Sequence, residues 1–249
     1  MNGHPQLEAR GVTVRFGGLI AVDNVSAAFA AGELVGIIGP NGAGKTTLFN
    51  ALSGVQPPTS GELFAQGRRL TGTQPHRFAA QGIARTFQTP RVFGALSVTA
   101  NIDFGLQFAG LHRKSSWLLK DEASILQLIG LADQAMLPAA AITPSQQRLL
   151  EIGMALATRP RLLLLDEVAA GLTETEVDAM AQLIRRLRDE LDLTVIWIEH
   201  AVTTLLRYVE RVLVLHQGRK IADGTPAEVV RNAEVIEAYL GDEMMGEPA

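Results

Sequence analysis

The sequence predicts an α/β fold built on a largely parallel sheet covered by helices. Three observations carry this. The runs Leu34-Val35-Gly36-Ile37-Ile38, Leu162-Leu163-Leu164-Leu165 and Leu193 to Ile198 are short and apolar, as strands buried on both faces must be. An amphipathic helix separates the second from the third: Val177, Met180, Ile184, Leu187 and Leu191 recur at helical spacing, opposite Arg185, Arg186, Arg188 and Asp189. Glycine, 24 residues of 249, clusters at the turns between apolar runs. Strands alternating with helices imply parallel pairing.

Along the chain, Leu7 to Ala30 and Glu62 to Gly67 read as short β segments around turns, a β-rich N-terminal part. The Leu34 to Ile38 strand enters a Gly/Pro/Asn cluster, and Lys45 to Leu52 continues as a helix. From about Thr99 to Leu156 the pattern is helical: Ala123 to Ile129, then Gln146 to Leu156 with Leu149, Ile152 and Leu156 on one face. The expected organisation is one domain, a core of about residues 1–88 and 158–249 with a helical subdomain of about 89–157 inserted. The tail after Gly241 is polar and expected to fray.

Composition narrows the function. Hydrophobic residues make up 47% and charged residues 19%, which excludes wholesale disorder. The 22 basic and 26 acidic residues give −4, a poor balance for a dedicated nucleic-acid binder, and no nucleic-acid partner is expected. The absence of cysteine removes disulfides, thiolate metal sites and a catalytic thiol. The start, MNGHPQLEAR, lacks the apolar region of a signal peptide, and no stretch approaches the ~18 apolar residues of a spanning helix. Work at a membrane would therefore go through a partner.

Residues Gly39-Pro40-Asn41-Gly42-Ala43-Gly44-Lys45-Thr46 read GxxxxGK[ST], after a buried strand and before a helix. The chemistry needs these residue types. Glycines let backbone N–H groups turn inward around phosphate oxygens, and the following helix points its positive end at the same anion. Lys45 is placed to reach the β- and γ-phosphates, and the Thr46 hydroxyl to ligate Mg²⁺. Asp166 and Glu167 close the Leu162–Leu165 strand, at the end where parallel sheets hold ligands. Asp166 is expected to face the same Mg²⁺. Glu167 is expected to orient or deprotonate the attacking water, its proton affinity raised by nearby phosphates.

The order of GPNGAGKTTLFN, GIARTFQ, LLEIGMALATRPRLLLLDE, AAGL, WIEH and GTPAEV resembles the ATP-binding subunit of an ABC transporter, over about residues 7 to 241. RTFQ with the following VF, and VIEAYLG near the end, resemble the branched-chain amino acid (or amide and urea) importer branch. The resemblance implies a P-loop NTPase (RecA-like) core that binds and hydrolyses ATP with Mg²⁺. It implies a second cassette subunit, homo- or heteromeric, multi-span membrane permeases and, indirectly, an extracytoplasmic solute-binding protein. It places the chain in the cytoplasm, on the inner face of the cell membrane. Gln88 falls at the Q-loop glutamine that senses Mg²⁺ and the attacking water, and His200 at the switch histidine contacting the γ-phosphate. Phe16 falls where an aromatic stacks on adenine, and Thr47 joins the phosphate-binding set. The groove near Gln88 to Phe108 would receive a permease helix, with Val92, Phe93 and Leu96 either interface or subdomain core. His4, His76, His112 and His216 match nothing and are expected to face solvent.

The sequence departs from the family at the signature, normally LSGGQ, which here reads Ile142-Thr143-Pro144-Ser145-Gln146. Thr143, Ser145 and Gln146 would contact the nucleotide held by the partner subunit. Thr143 keeps a hydroxyl and is a good N-cap, and Pro144 suits the first helical position. Ser145 adds bulk where glycine lets backbone approach phosphate, and would resist positive φ. Val168, Thr173, Ala201 and Ala100 replace a proline, an asparagine, an aspartate and a glutamate usual at those places. Two readings follow: lineage drift in a working pump, or asymmetric division of labour in a heterodimer. Two further alternatives stay open, a non-transport ABC-type ATPase and a weakly hydrolysing nucleotide-binding partner.

Overall fold

The apolar runs read from the sequence lie side by side in a six-stranded sheet of the computed structural model, which describes residues 4–107, 119, 121–199 and 202–245. The elements run β1 (Leu7–Phe16), β2 (Leu19–Phe29), β3 (Leu34–Ile38), α1 (Lys45–Leu52), β4 (Ser60–Ala65), β5 (Arg68–Arg69), α2 (Pro75–Ala80) and β6 (Ile83–Arg85). Helices α3 (Val98–Gln107), α4 (Glu122–Leu128) and α5 (Pro144–Ala157) follow. The chain then returns as β7 (Leu162–Asp166), α6 (Glu174–Leu191), β8 (Thr194–Ile198), α7 (Val202–Tyr208), β9 (Arg211–His216), β10 (Arg219–Gly224), α8 (Pro226–Val229) and α9 (Ala233–Met245). Helix α9 passes through Gly241 to Met245, where the polar composition predicts fraying.

The large sheet has the order β10-β9-β3-β8-β7-β6. Strands β9, β3, β8, β7 and β6 are parallel neighbours, and β10 pairs antiparallel with β9. The loops after β3 and β7 therefore leave from the same edge. The second sheet, β2-β1-β4-β5, is antiparallel.

Side chains of the central strands alternate between two cores, as a pleated strand requires. Val35, Ile37, Leu162, Leu164, Ile196 and Ile198 face α1 and the antiparallel sheet, meeting Leu48, Phe49 and Phe29. Leu34, Ile38, Leu163, Leu165, Val195 and Trp197 face the other way, onto α5 and α6. The predicted face of α6 is buried: Val177, Met180, Ile184, Leu187 and Leu191 all lie against this core. Each such side chain stabilises the fold by about 1.5–3 kcal/mol relative to leaving it in water.

Helices α3, α4 and α5 pack with no slack. A Cβ on Gly153 would fall 2.6 Å from the Ile129 Cδ1 and 2.7 Å from the Ile102 Cδ1, so a side chain there would push both methyls aside.

Candidate functional site

Helix α1 begins at Gly44, whose φ of 96° lies in the left-handed region and whose absent Cβ would sit 2.3 Å from the Ala21 carbonyl. No side chain caps this helix, so its first amides remain open to an anion. Gly42, Ala43, Gly44, Lys45, Thr46 and Thr47 line a cavity of about 540 Å³. Phe16, Leu19, Ile20, Ala21, Gln217 and Gly218 complete its walls. Phe16 is 50% exposed at this wall. The Lys45 ammonium donates to the carbonyls of Gly39 (2.5 Å) and Pro40 (2.9 Å), which ties the start of the loop to its end. Asn41 is exposed on the loop.

Asp166 ends β7, buried, and its Oδ2 accepts from Arg85 at 3.1 Å. Its backbone N–H donates to the Thr86 hydroxyl at 3.1 Å. Glu167 follows with φ 50°, a left-handed backbone that costs a non-glycine residue about 1–2 kcal/mol. Two bonds hold it there: its N–H donates to the Ile198 carbonyl (2.9 Å), and its carbonyl accepts from Arg148 (2.7 Å). Its carboxylate accepts from the Gln88 amide at 2.7 Å, so two residues singled out far apart in sequence meet. Glu199 lies behind this group. Its Oε1 accepts from the Ala169 amide (2.7 Å) and the Trp197 indole (3.0 Å). Burial pushes its carboxyl above the usual range, and neighbouring Glu167 adds to the shift.

The donors at this edge suit a magnesium ion, since a hydroxyl and a carboxylate leave the remaining positions to water and phosphate oxygens. Among the described residues, no group of three or more His, Cys, Asp or Glu forms a dedicated metal cage. His200 and Ala201 lie outside the described residues, as do Phe108 and His112. His4 and His76 are exposed as expected, whereas His216 is half-buried.

Thr143, Ser145 and Gln146 do not line the phosphate-loop cavity of their own chain. Thr143 is the N-cap of α5: its hydroxyl accepts from the Gln146 amide (3.3 Å), and the Gln146 side chain accepts from the Thr143 amide (2.9 Å). The expected strain at Ser145 does not arise. It sits in the first turn of α5 and is not among the positive-φ residues, because a helix start and not a turn occupies this stretch. Its hydroxyl lies 3.2 Å from that of Thr143 and also lowers the Glu176 carboxyl, after the larger effect of Thr173.

A groove of about 430 Å³ lies between α2, the segment after β6, α3 and α5, lined by Val55, Arg85, Phe87, Arg91, Phe104 and Met154 among others. Phe93 and Leu96 are more than two-fifths exposed, and the Phe93 ring stands edge-on to Phe104 at 4.8 Å. Val92 packs against the core. Buried Asn101 fixes the segment, accepting from the Phe93 amide (2.8 Å) and donating to its carbonyl (3.1 Å).

The sequence reading passed over Arg85, Arg148, Glu199, Asn50 and the Gln217-Gly218 turn. Only the last had a local signal, a turn pair between two strands.

A nucleotide-sized cavity at an open helix start, beside an acidic strand end on a parallel sheet, defines a P-loop nucleotide-binding protein. Residues 22–170 match the ABC transporter family, and residues 219–244 match the branched-chain amino acid ATP-binding cassette transporter family. The chain is 40% identical over 252 residues to the high-affinity branched-chain amino acid transport ATP-binding protein LivG of Salmonella typhimurium, covering 96% of this chain and 98% of that one. It is 38% identical over 251 residues to BraF of Pseudomonas aeruginosa, a protein of the same description, with the same coverage. The crystal structure of an ATP-binding cassette of an ABC transporter in its ADP conformation superposes with a TM-score of 0.83 at 28% identity, covering 97% of this chain and all of that one. The chain belongs to the ABC transporter family, as an ATP-binding cassette of the ATPases that power transport. No described helix is long and apolar enough to cross a membrane.

Proposed function

We propose that this chain binds and hydrolyses MgATP to power an importer of branched-chain amino acids or related small solutes, from the cytoplasmic face of the cell membrane. The observation that carries the catalytic part is the Gln88–Glu167 contact of 2.7 Å at the carboxyl edge of the sheet. It supports a carboxylate aimed and held for water activation. The solute class rests on the relatives' described roles.

In this reading the loop Gly39 to Thr47 wraps the phosphates, with Phe16 against the adenine. Lys45 exchanges its carbonyl partners for the β- and γ-phosphates. Thr46 and Asp166, with Gln88 nearby, would hold magnesium, which when bound neutralises phosphate charge. Glu167 accepts a proton from the attacking water, and Gln88 keeps its carboxylate pointed. His200 completes the γ-phosphate contacts. Catalysis is mostly positioning and charge stabilisation.

A second cassette subunit supplies Thr143, Ser145 and Gln146 across the interface. ATP binding draws the two subunits together, and hydrolysis releases them. The helical part, about residues 89–157, receives a permease helix in the groove beside Arg85 and Phe104. An extracytoplasmic binding protein delivers solute to those permeases.

The test is reconstitution with the cognate permeases and partner cassette in proteoliposomes, following labelled leucine. ATP-dependent uptake that stops with Glu167→Gln supports the reading. MgATP binding without uptake of any branched-chain amino acid would refute the solute assignment. No MgATP affinity, alone or with the partner, would refute the ATPase role.

A further inference from the structure

We infer that Arg85 is a positioning residue that makes occupancy of the groove felt at Asp166; this rests on the ATPase reading above and extends it to a residue that reading leaves out.

Arg85 is the last residue of β6, three positions before Gln88. Its side chain is only 11% exposed, yet it lines the groove. Its guanidinium uses the planar fork that lysine lacks. One nitrogen donates to Asn50 Oδ1 and to Ser53 Oγ, both at 2.8 Å, at the end of α1. The other donates to Asp166 Oδ2 at 3.1 Å, and Nε to the Thr86 carbonyl at 3.2 Å. The cation lies 5.1 Å from the Phe49 ring centre and 4.6 Å from that of Phe87. One side chain thus joins the helix behind the phosphate loop, the acidic strand end and the wall of the groove.

The wall is itself clamped. The Arg91 guanidinium covers the Phe87 ring at 4.0 Å. Glu151 on α5 accepts from the backbone amides of Phe87 (3.2 Å) and Arg91 (2.9 Å). An apolar segment seated between Phe87, Phe104 and Met154 would therefore press on a ring stacked against Arg85. The Arg85–Asp166 pair is already nearly dry, so a displacement of Arg85 is little screened at the carboxylate. The effect at Asp166 is a carboxylate held more firmly for a cation on its other side. Coupling is reciprocal, so a cation bound at Asp166 would in turn favour an occupied groove.

The experiment titrates Mn²⁺ into the ADP-loaded protein by electron paramagnetic resonance, once with the free subunit and once with the complex assembled on its permeases. In the unmodified protein, Mn²⁺ should bind at least about 5-fold more tightly in the complex. Arg85→Lys retains a positive charge without the fork, and should reduce that difference to less than about 2-fold while assembly, followed by size-exclusion chromatography, persists. Should Arg85→Lys not fold, Asn50→Ala with Ser53→Ala cuts the α1 arm alone and should shrink the difference measurably. An undiminished difference in the variant that folds, or no difference in the unmodified protein, overturns the role of Arg85. Failure of the unmodified free subunit to bind ADP with Mn²⁺ at all would instead remove the ATPase reading.

Discussion

Helix α1 starts at a left-handed glycine with no side-chain bond to its first amides, whereas α5 starts at Thr143 inside a closed capping box. Both follow stretches whose sequence resembles the family's phosphate-contacting loops. The first receives no side-chain cap, and so leaves its N-terminal end accessible to an anion. The second ties the amides of Thr143 and Gln146 to each other's side chains, with Pro144 at the first helical position removing one more N–H. A helix start cannot be fully capped by its own side chains and fully available to a ligand. The start of α1 is left accessible to an anion, and the start of α5 is tied to its own side chains.

The largest test of that contrast is at the open end. Lys45→Ala should lower MgATP affinity and turnover by at least about 10²-fold, since it removes the one charged donor within the loop. Calorimetry on the folded variant measures it, and near-normal affinity would break the comparison. Glu167→Gln should cut turnover by about 10²–10⁴-fold while nucleotide affinity in the same titration barely changes. A matched fall in affinity would mean that the carboxylate serves the loop's structure and not the reaction.

The closed end predicts smaller effects. Replacing Thr143-Pro144-Ser145 with Ser-Gly-Gly should raise ATPase turnover of the assembled complex by a few-fold, on the order of 1 kcal/mol of barrier. No gain would show that the capped start already serves the partner's nucleotide. Thr143→Ala should cost about 1 kcal/mol of stability in urea unfolding, with the free subunit's nucleotide affinity unaltered.

The smallest effect is electrostatic. Burial raises the Glu199 carboxyl above its unfolded value, so the native state holds that proton more readily. Its contribution to stability is full below the unfolded pKa and is lost as pH rises through the folded one. Glu199→Gln keeps an acceptor for Ala169 and Trp197 without the charge. The wild type should therefore lose stability relative to this variant as pH rises above the ordinary glutamate range, read from paired denaturation curves. A parallel pair of pH profiles would refute the buried-charge account.

How much was legible follows from the same contrast. The loop was readable because its constraints are local: consecutive glycines, a strand before, a helix after. The fold class was readable because strands such as Leu162 to Leu165 are buried on both faces and leave an unbroken apolar run. Arg85 was not, since its partners Asn50 and Asp166 lie 35 and 81 positions away and nothing in RTFQ announces them. Arg148 and Glu199 escaped likewise, because an arginine on a helix and a glutamate at a strand end read as solvated charges until the fold buries them. At Ser145 the sequence misled, since glycine-to-serine reads as backbone strain and the cap geometry shows none.

The absent methyl at Gly153 has a mechanical consequence. Ile102, Ile125 and Ile129 reach into that gap, so sliding the three helices past one another would part these contacts at a cost in packing. Turning together, like a crank, would keep those contacts whole. A push delivered near Phe104 would then arrive at the far end of α5, beside Thr143, as rotation and not as a dent absorbed along the way.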